Sequence, residues 1–249
     1  ETVSEKQYHI KLGPGDIPRC VILPGDPGRV EKIASYFDEA EHVVTNREYC
    51  TWKGKVGNLP IACTSTGIGC PSAAIALEEL IKIGCDTFIR VGTCGSLQPG
   101  VDVGDLAITT ASVREDGTTA QYVPLSYPAV ADLDVTLALR EAAQKLGFKA
   151  HTGIGHTKDA FYTEGEEGLP MAEHLALQWK AWERSNVIST SMEASALFVV
   201  GSIKKVRVGE VLAVIGLTYC DQPIVKKVGV EEAIKCAIEA MKILAGDSK

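Results

Sequence analysis

The chain has 249 residues, and its 25 Lys plus Arg against 32 Asp plus Glu leave a formal net charge of −7 with no basic run longer than a pair, which speaks against a nucleic-acid partner. A composition of 45% hydrophobic and 6% aromatic residues suits one compact α/β domain over residues 1–249. The eight cysteines show no CxxC spacing and several lie in apolar runs, so they read as reduced core thiols and not as a metal cluster or disulfide framework.

Strand-like runs recur along the chain as "RCVILPGD", "LPIACTSTG", "DTFIRVGT", "GDLAITTASV", "HTGIGHT" and "EVLAVIGLTYC". Helical periods alternate with several of them. The first follows "PGDPG" and carries Arg29 in its opening turn; the second runs from Pro71, a first-turn proline, to the stop at Gly84. A third spans about Asp134 to Leu146 before Gly147, and the clearest is the last, where Val230, Ile234, Ala237, Ile238, Met241 and Leu244 share one face. This alternation predicts a mixed, largely parallel sheet with helices on both faces. Residues 111–130 and 159–180 follow no period and read as loops bordering a site. The opening residues lack a charged-then-apolar leader pattern, and no apolar stretch reaches the roughly 18 residues of a membrane span, so a cytoplasmic location is expected.

Arg90 closes an apolar strand just before "VGTCGS", at the carboxyl end where open α/β sheets bind ligands. A solvated surface charge is the ordinary reading of such an arginine. The small residues Gly92, Thr93, Cys94, Gly95 and Ser96 change that reading, because they leave backbone N–H groups approachable, and arginine plus free amides makes an anion site. "VILPGDPGRV" repeats the arrangement, with Gly25 in the loop and Arg29 at a helix start. No Walker loop, GxGxxG, GxSxG or HExxH is present, so a small free phosphate fits better than a nucleotide tail. In "STSMEASALFVV", Glu193 is either a helix-start carboxylate or an acceptor for the vicinal hydroxyls of a sugar, with Met192 as an apolar floor.

Taken together, "PGDPGRVEKIA", "REYCTWKGK", "STGIGCPSAAIALEEL", "RVGTCGSLQPG", "VGDLAITTASVREDG" and "SMEASA" resemble the nucleoside phosphorylase-I family, most of all its uridine phosphorylase branch. The resemblance covers about residues 9 to 200. It implies a three-layer αβα sandwich around a mixed sheet with a distorted barrel-like centre, assembled as homo-oligomers, dimers or hexamers, whose sites are shared between subunits. It also implies the reversible phosphorolysis of a ribonucleoside to a free base and ribose 1-phosphate, with inorganic phosphate as co-substrate and no cofactor required.

Carried over by position, the resemblance puts phosphate among Gly25, Arg29, Arg90, Thr93 and the Arg47 of a neighbouring subunit. Ribose falls to Met192, Glu193 and that neighbour's His9, and the base to Cys94, Gly95, Phe161 and Ser191. Glu48, Ile68 and Ser72 take the positions of a potassium site at the dimer interface.

The chain departs from its relatives in the base half. Phe161-Tyr162 continues as "TEGEEG", without the glutamine and arginine that recognise uracil, and Ser191 stands where relatives carry glutamate. The late loop reads "GLTYCDQP", so Asp221 is the nearest counterpart of the aspartate with which purine nucleoside phosphorylases protonate the base. A purine nucleoside is therefore the alternative substrate. A hydrolytic nucleosidase and a weakly catalytic nucleoside-binding protein are more distant readings, and the three arginines of the anion site oppose the first of them.

Overall fold

The computed structural model describes residues 6–163, 168–220 and 228–246. The chain begins with β1 (Cys20–Pro24) and α1 (Gly28–Ala34), followed by a meander of β2 (Asp38–Asn46), β3 (Tyr49–Val56) and β4 (Leu59–Thr64). Next come α2 (Cys70–Lys82), β5 (Thr87–Ser96), β6 (Leu106–Glu115), the short β7 (Ala129–Val130) and α3 (Leu133–Leu146). β8 (Ala150–Lys158), α4 (Ala172–Arg184), β9 (Ser189–Ser191), α5 (Ala194–Lys204), β10 (Arg207–Leu217) and α6 (Val230–Ala245) complete it.

One sheet runs in the order β10-β6-β8-β9-β5-β1-β4-β3-β2, with β7 on the side of β6. β10 also pairs with β5, so β5, β9, β8, β6 and β10 close into a five-stranded ring, the barrel-like centre expected from the resemblance. Parallel pairs join β1 to β4 and β5, β10 to β5, and β8 to β6 and β9. The β2–β3–β4 meander and the β10–β6 and β5–β9 pairs are antiparallel, which makes the sheet mixed.

Helices cover both faces of this sheet. α1, α3 and α6 enclose one core around Ile22, Ile89, Val91, Val211 and Ile234, and α2 and α5 enclose another around Val21, Leu23, Phe88, Leu77 and Phe198. Alternate residues of β1 thus feed opposite cores, so the strand is buried on both faces and reads as a continuous apolar run. All eight cysteines are free and five are buried, as the apolar context of their runs predicts.

Local chemistry sets the ends of α2 and α3. Asp132 accepts a hydrogen bond from the Val135 N–H at 3.0 Å and starts α3, and Gly147 ends it in the left-handed conformation at φ 72°. Pro71 sits in the first turn of α2 and Gly84 follows its end at φ 101°.

Three regions differ from the sequence-based expectation. Residues 92–96, expected as a loop opening after Arg90, continue β5 to Ser96, because β10 pairs alongside them as far as Leu217. Part of 159–180, expected as loop, forms α4: past Gly168 and Pro170 the run "AEHLALQWKAWER" is rich in strong helix formers, and none of its residues is fully buried. Residues 111–115 belong to β6 and not to a loop, because β8 continues alongside them as far as Lys158. No helix among the described residues is long and apolar enough to cross a membrane.

Candidate active site

β1 and β5 run parallel and adjacent, with Leu23 opposite Arg90 and Pro24 opposite Val91, so the loop after β1 leaves beside Arg90, which lies within β5 and not at its end as the sequence suggested. Arg90 is 4% exposed. Its side chain folds back along its own strand over position 92, and a methyl group placed on Gly92 would lie inside the guanidinium. Glycine at 92 is therefore a spatial requirement of the arginine, through the two-residue periodicity that puts 90 and 92 on one face.

Glu193, just before α5, is 103 positions away in sequence and pairs with Nη2 of Arg90. The carboxylate is held from the other side as well: the Gly69 N–H donates to Oε1 at 2.9 Å and the Met192 N–H to Oε2 at 3.2 Å. Gly25 lies close by, since a Cβ there would stand 3.4 Å from the Gly67 carbonyl and 4.0 Å from Glu193.

Arg29 approaches the same place from α1, donating from Nη1 to the Val91 carbonyl at 3.3 Å. Burial lowers the pKa of its guanidinium, and the charge of Arg90 lowers it further. Burial acts on Arg90 in the same sense, but Glu193 and Glu210 outweigh it and move the pKa of Arg90 above its ordinary value. Two like charges held together and desolvated constitute a site that an anion would stabilise.

The loop amides are less available than the sequence suggested. The Asp26 carboxylate accepts from the Gly28 N–H at 2.9 Å, and the Asp26 carbonyl accepts from the Arg29 N–H at 3.0 Å. α1 also has only seven residues. Positive charge at this site thus comes chiefly from the two guanidinium groups, not from the helix start.

The other candidates fall into three groups. Thr93 is half-buried beside Arg90 on β5, whereas the Cys94 side chain turns inward to a core with Leu212 and Val214, where burial pushes its thiol pKa up. Cys94 therefore offers a ligand only its backbone. Gly95 is flanked by the methyl groups of Thr190 and Thr218, at 3.3 and 2.6 Å from where its Cβ would stand. Ser191 ends β9 and is buried, and Met192 follows it half-buried. Phe161 lies in a short 3-10 turn after β8 and is 63% exposed, with the Lys158 ammonium 5.5 Å from its ring centre. Asp221 lies outside the described residues.

The third group gathers elsewhere on the chain. His9 bonds through Nδ1 to Glu79 at 2.6 Å, and the His9 and Ile10 N–H groups donate to the same carboxylate. The Asn46 amide donates to the His9 carbonyl at 2.6 Å, which ties His9 to the β2–β3 turn where exposed Arg47 adopts a left-handed φ of 55°. Glu48 accepts from the Ser72 hydroxyl at 2.9 Å, both side chains lie against Gly67, and Ile68, which follows Gly67, is 76% exposed. No contact among the described residues joins His9 or Arg47 to Arg90 within one chain.

A mixed αβα sheet with a closed centre, in which half-buried Arg29 and buried Arg90 meet beside Glu193 and Glu210, is the architecture of an α/β protein with a site suited to an anion. Residues 19–245 match the family model of the phosphorylase superfamily. A uridine phosphorylase of Thermococcus kodakarensis is 48% identical over 98% of this chain and 89% of that protein, and one of Treponema pallidum is 43% identical over 96% and 94%. A guanosine phosphorylase of Halorubrum lacusprofundi is 36% identical over 96% of this chain and 99% of its own length. The chain belongs to the phosphorylase superfamily. It is a nucleoside phosphorylase, a pentosyltransferase that uses phosphate as co-substrate.

Three features of this site escaped sequence reasoning. Glu79 resembles an ordinary helix-surface carboxylate of α2, and Gly92 one more small loop residue. Glu210 lay inside a run read only as an apolar strand; a lone carboxylate interrupting "VGEVLAVIG" was the available signal.

Proposed function

We propose that this nucleoside phosphorylase is a single domain over residues 1–249 that binds phosphate among Gly25, Arg29, Arg90 and Thr93, with Arg47 supplied by a neighbouring copy. The observation that carries this reading is the convergence of Arg29 and buried Arg90 on one point beside Glu193. Ribose lies over Met192 with its hydroxyls on Glu193, and His9 of the neighbouring copy reaches the 5′-hydroxyl. Phe161 stacks on the base, and the backbone at Cys94 and Gly95 with Ser191 lines the rest of its pocket.

The chemistry follows from charge. As the glycosidic C–N bond breaks, its electron pair leaves with the base and oxocarbenium-like positive charge builds on the ribose. Phosphate held below the anomeric carbon by the arginines stabilises that charge and then donates an oxygen lone pair to form the new C–O bond. The departing base takes up a proton, and Asp221 is the candidate donor for a purine.

Uridine is the first substrate to try, because the Thermococcus and Treponema relatives carry that name; guanosine and other purine nucleosides are the second. The missing glutamine–arginine pair after Phe161 favours the second reading. Assembly as a dimer or hexamer in the cytoplasm belongs to the same proposal. So does a monovalent cation, potassium, at the dimer interface, held by Glu48, Ile68 and Ser72: the Glu48 carboxylate and Ser72 hydroxyl lie side by side, and oxygen ligands suit a hard cation. Incubating the protein with uridine, thymidine, inosine, adenosine and guanosine, each with and without phosphate, and measuring base release tests the reading. Phosphate-dependent release names the base. Release without phosphate refutes the phosphate-site assignment in favour of hydrolysis, and binding without release refutes catalysis.

A further inference from the structure

Glu210, in the middle of β10, is 1% exposed and directly opposite Arg90 in the parallel β10–β5 register. Its Oε1 accepts a hydrogen bond from the Thr109 hydroxyl of β6 at 2.7 Å, and Thr109 is itself 1% exposed. Its Oε2 stands 3.4 Å from Nε of Arg90. Glu193 occupies the other end of the guanidinium at Nη2. The Nε–Oε2 approach is an ion pair and not a hydrogen bond, and Nη1, held by neither carboxylate, is a buried donor with no hydrogen-bond partner among the described residues.

Packing alone gives no reason for a carboxylate here. β10 is buried along most of its length, and taking a carboxylate out of water costs several kcal/mol unless a partner compensates it. Burial raises the pKa of Glu210, and Arg90 and the Thr109 hydroxyl oppose that rise. The compensation is directed at one residue, the arginine of the anion site.

We propose that Glu210 is a positioning residue for phosphate recognition, clamping the Nε edge of Arg90 from within the barrel so that Nη1 faces the anion while Glu193 stays free to bind ribose. The inference rests on the reading of Arg90 as a phosphate ligand. Without Glu210 the guanidinium would have Glu193 as its one carboxylate partner, and a ribose that drew Glu193 away would leave Arg90 free to rotate. Thr109, fixed on β6, keeps the clamp itself in place. The charge of Glu210 repels phosphate while its geometry favours phosphate, so the two contributions can be separated by substitution.

The test compares Glu210→Gln, Glu210→Met, Thr109→Val and Arg90→Ala in the full chain, titrating inorganic phosphate and the nucleoside that the wild type cleaves. Glu210→Gln keeps the shape and the polar contacts, whereas Glu210→Met keeps the volume alone. We expect Glu210→Met to raise the KM for phosphate about ten- to hundredfold, the usual penalty for a misplaced ligand-holding group. The KM for nucleoside should stay within about twofold, because a purely structural defect would move both. Glu210→Gln should restore most of the phosphate affinity. Thr109→Val, which leaves every charge in place, should raise the phosphate KM by about threefold through a loosened clamp, and it decides the matter should Glu210→Met not fold.

An unchanged phosphate KM in folded Glu210→Met, or an equal rise in both KM values, overturns the inference. If Glu210→Met fails to fold, an unchanged phosphate KM in Thr109→Val does the same. If Arg90→Ala keeps its phosphate KM, the phosphate reading itself falls and the inference with it. If Arg90→Ala loses phosphate dependence while the Glu210 variants do not change, the inference alone falls.

Discussion

The proposed phosphate half and the proposed base half of the site are built from different material. Arg90, Glu193 and Glu210 are all 4% exposed or less, and they are carried by strands and a helix start that pack into the core from both sides. Phe161, in contrast, is 63% exposed on a three-residue turn, and α4 beyond it buries none of its residues fully. The buried half can hold a guanidinium to one geometry, because every neighbour is fixed. The exposed half can change its residues at little cost to the fold, because few packed neighbours depend on them.

This comparison predicts that damage to the buried half is severe and specific to phosphate. Arg90→Ala should lower phosphate-dependent base release about 10²- to 10³-fold, as loss of a preorganised charge-stabilising donor does. Tm should fall, because Glu210 loses its charge partner, while circular dichroism at 25 °C still shows a folded chain; near-normal phosphate dependence would remove Arg90 from the site. Gly92→Ala should come next: its methyl displaces the guanidinium without removing it, for a loss of about 10²-fold in kcat/KM for phosphate. Wild-type kinetics in Gly92→Ala would mean that the arginine binds phosphate from some other position.

The exposed half should respond more mildly and in the other substrate. Phe161→Ala removes an aromatic stack worth about 0.5–1.5 kcal/mol, so nucleoside KM should rise by up to about tenfold with phosphate KM unchanged. A rise in phosphate KM instead would erase the division between the halves. Smallest of all, Asp132→Ala deletes the cap of α3, remote from both. It should cost about 1 kcal/mol of stability and lower Tm by a few degrees, leaving kcat/KM at 25 °C unaltered.

Charged strands and surface helices were the hardest parts of the fold to read. β2 carries Asp38, Glu39, Glu41 and His42, all exposed, and it is a strand because β3 pairs with it, not because its own period requires one. α4 was hidden by the glycines and charges that precede it. Within the site, Arg29 and Glu193 stood out because each sits at a helix start whose position follows from local pattern; Arg90 stood out as a charge interrupting an apolar run, although β5 continues past it to Ser96.

The sequence by itself determined the apolar strands and the helices that end at Gly84 and Gly147, since propensity, periodicity and capping act over a few residues. Only the tertiary structure decided that Glu193 meets Arg90 across 103 positions and that Glu210 faces it from β10. Those partners depend on how the ring of β5, β9, β8, β6 and β10 closes, and register across strands distant in sequence is fixed by packing the whole sheet, not by any one stretch of it.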